Sequence, residues 1–299
     1  MKRDVYEQIT GQIVAELEKG VRPWFQPWSA GNMEGRVVRP LRHNGMPYQG
    51  INTIVLWTVG MARGYAAPSW FTYRQASELK AQVRKGEKGS LVVYADKLTR
   101  TETDAATGEE ASRDIHFMKG YTVFNAEQID GLPEHYYAKP AAPEPELPRI
   151  ERAETFFAAT CADIRFGGDR AYYAIGEDRI QMPPFVAFRD PESYYATLAH
   201  ETTHWTRHPS RLDREFGRKR WGDEGYAMEE LVAELGSAFL GADLGLSPVL
   251  RADHASYIDS WLTVLKRDSR AIFTAASHAQ RAADFLHGLQ PQAAQAAAA

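Results

Sequence analysis

Apolar residues recur at helical spacing through Val5, Ile9, Ile13 and Leu17, with Val14 and Ala15 beside them, which predicts a helix over 5–17. A second helix is expected over 53–63, opened by Asn52, with turns at Trp24-Phe25-Gln26-Pro27-Trp28 and Asn44-Gly45. Residues 90–94 and 116–124 read as strands, the latter carrying the β-formers Tyr121, Val123 and Phe124. The hydrophilic stretch 99–114 between them reads as an exposed hairpin loop. Further on, 150–161 has helical character, 170–182 reads as a hairpin, and three more helices are expected to follow it.

The first of those three is the most sharply marked. Asp190-Pro191-Glu192 has an N-cap residue, a proline at the first helical position and an acid near the positive end of the dipole. Tyr195, Leu198, Thr202 and Trp205 then form a largely apolar back face, His200 and His204 lie on another face, and Pro209 closes the segment. The next helix, expected over 227–240, carries Glu229, Glu230 and Glu234, and its small residues Ala233, Gly236 and Ser237 would let it approach another helix closely.

Four prolines within 140–148 interrupt the pattern, so 138–148 is expected to be an extended spacer. It divides an N-terminal domain (1–137) from a C-terminal one (149–289), with a low-complexity tail over 290–299. Short helices mixed with small sheets make the fold class α+β. The 299 residues, 44% hydrophobic and 25% charged, describe an ordinary globular protein. No apolar run approaches a membrane span, no signal-peptide core follows Met1, and Cys161 is the only cysteine, so a reducing cytoplasm is expected. Cys161 itself is expected to be a small buried hydrophobe.

The net charge of −4 averages unlike segments. Residues 19–100 hold 13 Lys and Arg against 4 Asp and Glu, a balance of +9 that leaves −13 for the rest of the chain. That segregation points to a polyanionic partner for the N-terminal part. Aromatic residues interleave with the basic ones there, the combination by which single-stranded nucleic acid is held: charges track the backbone and ring faces stack on bases. Trp70 is the expected stacking platform, and Arg84-Lys85-Gly86-Glu87-Lys88-Gly89 the expected phosphate-contacting turn.

The chemistry of the C-terminal part is written in His200-Glu201-Thr202-Thr203-His204. Histidines four apart on a helix present both imidazoles to one metal ion, Zn2+ by expectation, with manganese, cobalt or nickel also accepted. Glu201 between them is the expected catalytic base. A third protein ligand is needed; Ser210 stands where an extended metzincin pattern would have its third histidine, and His208 is badly placed. Glu229 is favoured for its place on the close-approach face, with Glu230 as the alternative, supported by Glu234 one turn on. Tyr226 could donate to a developing oxyanion, although packing explains it as well.

Several separate motifs, in order, resemble the ArdC-type antirestriction proteins of conjugative plasmids. In the N-terminal part they are Pro23-Trp24 with Pro27-Trp28, Asn44-Gly45 with Tyr48 and Gly50-Ile51-Asn52, Trp70 with Thr72-Tyr73 and Gln75-Ala76, and Val83-Arg84-Lys85-Gly86-Glu87-Lys88-Gly89. In the C-terminal part they are Met182-Pro183, Tyr194-Tyr195 leading into His200-Glu201 and His204-Trp205, Arg211-Leu212, and Glu229 to Glu234. The resemblance implies a single-stranded-DNA-binding domain followed by a zincin-like metallopeptidase domain, acting in the cytoplasm of a recipient cell during conjugation. The expected DNA contacts are Arg22, Trp24, Arg42, Asn44, Tyr48, Trp70, Arg74, Arg84, Lys85 and Lys88. A host restriction enzyme is the implied protein partner. Two other readings stay open: a non-catalytic inhibitor that binds DNA or the restriction enzyme around a vestigial metal centre, and an accessory module of a conjugative primase. The latter ranks last because no carboxylate cluster for nucleotidyl transfer is evident.

Overall fold

The structure, a computed structural model, describes residues 4–22, 24, 38–103, 110–137, 146–188, 190–217, 224–246 and 255–291. Helix α1 (Val5–Leu17) starts at Asp4, whose carboxylate accepts from the Tyr6 N–H at 3.1 Å, and buries Ile9, Ile13 and Leu17 along one stripe. Strand β1 (Leu41–Arg42) leads into α2 (Ile51–Arg63), which is buried nearly all round and ends at Gly64 in the left-handed conformation. Asn52 does not cap this helix. Its amide is spent on the main chain of Val93, donating to the carbonyl and accepting from the N–H, both at 2.8 Å. The helix starts two positions earlier than expected, at Ile51, with Gly50 at positive φ as its cap.

Strand β2 (Ser69–Phe71), helix α3 (Tyr73–Glu78), the short β3 (Gln82–Val83), β4 (Ser90–Thr103), β5 (Glu110–Asn125) and β6 (Ile129–Asp130) complete the N-terminal part. They form a four-stranded sheet in the order β1-β2-β5-β4 and a small β3-β6 ladder. The expected loop over 99–114 is corrected: pairing continues to Thr103 opposite Glu110. Thr99, Thr101 and Thr103 alternate along β4, and β-branched residues favour a pleated strand even when polar.

Helix α4 (Glu146–Ala159) begins inside the stretch expected to be spacer. Pro148 falls in its first turn, where a missing N–H goes unneeded; residues 138–145 lie outside those described. Strands β7 (Asp163–Phe166), β8 (Tyr172–Ala174) and β9 (Arg179–Met182) form a sheet in the order β7-β9-β8, so the expected hairpin gains a parallel partner. Among the described residues four α-helices follow rather than three: α5 (Pro191–Trp205), α6 (Glu224–Leu244), α7 (Ala255–Arg267) and α8 (Ala271–Gly288). Cys161 is also corrected, for it is exposed at a left-handed turn leaving α4.

One buried cluster unites the two parts. Ile13 and Leu17 of α1 and Ile54 and Trp57 of α2 join it with Phe239 of α6, Trp261 of α7 and Ile272 of α8. Each such side chain contributes about 1.5–3 kcal/mol of burial. Helix α1 packs on α7, and α2 on α8.

Candidate metal centre and nucleic-acid surface

Helix α5 owes its start to Asp190, whose side chain accepts from the Ser193 N–H at 2.7 Å, with Pro191 behind it. Its neighbours α6, α8 and the β8-β9 hairpin enclose it so fully that every residue from Thr197 to Trp205 is buried. Its C-terminal end is clamped by Arg211, which stacks 3.8 Å over the Trp205 ring and donates to the Trp205 carbonyl at 2.7 Å. The same guanidinium holds Asp178 in the β8-β9 turn, and this holds the Asp178 carboxyl below its ordinary pKa.

Gly236 sets the approach of α6. A Cβ added there would meet Thr203 Cγ2 at 2.5 Å, so only glycine allows this spacing, and Ser237 donates to the Ala196 carbonyl at 2.9 Å. The close approach expected from the small residues is present. It brings His200, His204 and Glu230 together, with one ligand atom from each lying within 4.8 Å of the others. Glu230 Oε2 is 3.5 Å from His200 Nε2, and its Oε1 is 3.5 Å from His204 Nε2. Two Nε2 atoms and one carboxylate thus converge, a donor set suited to a divalent transition metal.

The convergence includes Glu230, the alternative third ligand, and leaves out Glu229, the expected one. Glu229 turns away from the convergence point and accepts from both Arg214 Nε and Arg214 Nη2 at 2.8 Å, while its Oε1 lies 3.0 Å from His204 Nδ1. Adjacent helical residues point about 100° apart, so only one of the pair can face the histidines' Nε2 atoms. Glu234 likewise supports a histidine rather than Glu230: its Oε2 is 3.8 Å from His200 Nδ1, and its Oε1 accepts from Arg22 Nη1 at 2.9 Å.

The electrostatics follow from burial and pairing. Burial pulls His204 toward neutrality, but the Glu230 and Glu229 carboxylates outweigh it and raise its pKa to about 10. Burial would raise the Glu229 pKa, yet Arg214 and His204 hold it down at about 2, and the two histidines hold Glu230 well below the carboxylate range. Glu201 is buried on α5 beside His200. The Tyr226 hydroxyl lies 2.9 Å from that of Tyr257, and burial, reinforced by the Glu230 charge, raises its pKa and keeps it protonated.

The expected DNA contacts divide sharply. Trp24, Tyr48 and Trp70 are core residues, and Arg22 is a buried ion-pair partner; as surface contacts all four are corrected. Trp24 packs edge-on against Trp261, and Trp70 against Tyr65. Arg42, Asn44, Arg74, Arg84, Lys85 and Lys88 are exposed. Arg74 pairs with Glu78, while Arg84 pairs with Glu87 and Asp130, which leaves the turn less basic than its sequence suggests. Among the described residues of this part the exposed large aromatic side chains are Tyr73 (53% exposed) and Tyr94 (52%). Nothing in sequence marks Arg214 as the clamp on Glu229, and charge alone could not separate the buried Arg22 from exposed arginines.

Among the described residues no helix is long and apolar enough to cross a membrane. Residues 3–124 match the family model of the N-terminal domain of anti-restriction factor ArdC, and 151–278 match that of a zincin-like metallopeptidase. The chain is 46% identical over 298 residues to the uncharacterized protein y4eC of Sinorhizobium fredii, covering 97% of this chain and 94% of that one. It is also 40% identical over 303 residues to a DNA primase TraC of Escherichia coli, covering 96% of this chain but only 27% of the primase. The metal-free crystal structure of antirestriction protein ArdC from plasmid R388 superposes with a TM-score of 0.79 at 49% identity, covering 96% of this chain and 98% of that one. A Mn(II)-bound structure of the same protein gives 0.77 at 46% identity, covering 97% and 99%. With both halves matched in order and the whole length shared, this chain belongs to the ArdC family of antirestriction proteins.

Proposed function

We propose that the chain protects incoming plasmid DNA from restriction by pairing a single-stranded-DNA-binding surface with a metal-dependent peptidase centre. The observation that carries the second half is the convergence of His200 Nε2, His204 Nε2 and a Glu230 carboxylate, each imidazole facing an α6 carboxylate through its Nδ1. These three residues would hold the ion, which when bound supplies Lewis acidity at an open coordination position. The donor set suits Zn2+, and the Mn(II)-bound ArdC structure supports a divalent ion more generally. Glu201 receives the proton of the attacking water on a carboxylate oxygen and delivers it to the departing amine nitrogen. Glu229, within hydrogen-bonding distance of His204 Nδ1, and Glu234, its carboxylate 3.8 Å from His200 Nδ1, place the two imidazoles with Nε2 directed inward.

Glu201→Gln is therefore expected to keep metal affinity and abolish cleavage of unfolded polypeptides. Undiminished cleavage would remove Glu201 from its role. If the same variant still protects plasmid DNA in a transfer assay, protection works by occlusion and the non-catalytic reading is the better one.

For the DNA half, the exposed cations Arg42, Arg63, Lys80, Lys85 and Lys88 and the exposed rings Tyr73 and Tyr94 support a single-strand surface. Binding of labelled oligonucleotides is expected to favour single strands, with log affinity falling by about 0.7 per phosphate contact for each tenfold rise in salt. Tyr73→Ala and Tyr94→Ala are each expected to weaken binding by roughly 1–3 kcal/mol. Equal affinity for duplex and single strand, unaffected by both changes, would overturn this half.

A further inference from the structure

Among the described residues two ion pairs tie the N-terminal part to helix α6. Arg39 meets Asp243 through Nε and Nη2 at 2.6 and 2.7 Å, donates to Gln280 at 2.8 Å, and lies 4.7 Å over the Phe239 ring. It is a buried anchor whose partners do not touch the metal-binding histidines. Arg22 differs. Its Nη1 donates to Glu234 Oε1 at 2.9 Å, and the other oxygen of that carboxylate stands 3.8 Å from His200 Nδ1. On the opposite side Arg214 grips Glu229, which contacts His204 Nδ1 at 3.0 Å. Each imidazole is thus backed by an α6 carboxylate, and each carboxylate by an arginine. Arg214 follows α5 in the same part of the chain as the ligands. Arg22 comes from the other part, beyond the C-terminal end of α1.

We propose that Arg22 is a positioning residue through which the N-terminal part completes the metal centre, by holding Glu234 against His200 so that Nε2 of that imidazole faces Glu230. This rests on the metal-centre reading above. Glu234 is only 2% exposed. A carboxylate so buried needs its cation: without Arg22 it turns away from its place 3.8 Å from His200 Nδ1 and no longer holds that imidazole in position. Partners of this kind change metal affinity by about 10–100-fold when removed. Linkage then requires that metal occupancy and the seating of Arg22 strengthen each other.

The test measures Co2+ and Zn2+ affinity of the full chain by competition with a chromophoric chelator, together with the visible spectrum of the Co2+ form. Arg22→Met and Glu234→Gln are each expected to lose about 10–100-fold in affinity and to alter the Co2+ spectrum. The double variant should be no weaker than either single one, and Arg22→Lys should recover part of the loss. Arg39→Met, which cuts the other ion pair to α6, should loosen the protein yet keep wild-type affinity and spectrum. Wild-type affinity in Arg22→Met, or an equal loss in Arg39→Met, would overturn the proposal. Failure of the metal-centre reading shows separately, as a wild-type chain that binds neither ion or a His200→Ala variant that binds both unchanged.

Discussion

Glu229 and Glu230 are neighbours with opposite assignments, and the difference is a matter of helix rotation. Both are buried, both lie near His204, and both have depressed pKa values. Only Glu230 reaches both Nε2 atoms, while Glu229 is consumed by Arg214. Their substitutions should therefore fail differently. Glu230→Gln should remove the rise in melting temperature that added Zn2+ gives the wild type, a rise corresponding to about 2.7 kcal/mol at a hundredfold excess over Kd. Glu229→Gln should lower the melting temperature of the metal-free protein, because it leaves Arg214 buried without its counter-charge at a loss of roughly 3–5 kcal/mol. Thermal unfolding with and without metal reads both, and the reverse pattern would make Glu229 the ligand. The convergence of the two histidines was legible in sequence because a four-residue spacing sets both on one face of a helix. Which glutamate converges with them was not, since a one-residue choice depends on how α6 is rotated against α5. Arg22, Trp24, Tyr48 and Trp70 were misassigned for a related reason: an arginine or a large ring has the same letter on a surface as in a core.

Among the elements, the contact between α5 and α6 has the most consequence for the site. Gly236 lets the helices approach until Thr203 fills the space its Cβ would need, and the Thr203 hydroxyl is already committed to the Ala199 carbonyl at 2.8 Å. A methyl group at 236 has no room unless α6 shifts, and a shift there carries Glu229, Glu230 and Glu234 with it. Gly236→Ala is expected to destabilise the fold by about 1–3 kcal/mol and to weaken metal binding, and Thr203→Ala in the same chain should relieve both. Full metal affinity in the single variant would show that the ligands tolerate a looser interface. Elements with strong local signals were read well: α1 from its four-residue apolar spacing, α5 from Asp190-Pro191, α6 from its small residues. Those missed had signals of another kind. Strand β7 is short and polar, the ends of β4 and β5 are hydrophilic, and α4 starts among prolines that suggest a spacer.

At the scale of the whole molecule, two separately recognisable halves share one interior. The apolar stripe of α1 (Ile9, Ile13 and Leu17) is buried in the same cluster as the C-terminal helices, and α2 packs on α8 while its Trp57 meets Phe239 of α6 at 6.0 Å between ring centroids. The buried Arg22–Glu234 and Arg39–Asp243 pairs lie on the same boundary. A proline-rich stretch suggests independent domains, yet an interface this apolar exposes too much surface when either half opens alone. The full chain should accordingly unfold in a single cooperative transition, and Zn2+ should raise that transition as a whole, including the signal of a fluorophore attached at the exposed Lys85 of the N-terminal part. A fragment ending at residue 137 should expose α1 and α2 and bind a hydrophobic dye strongly. Two resolved calorimetric transitions, with only the upper or the lower one moved by metal, would mean that the halves fold separately and that their common core adds little to stability.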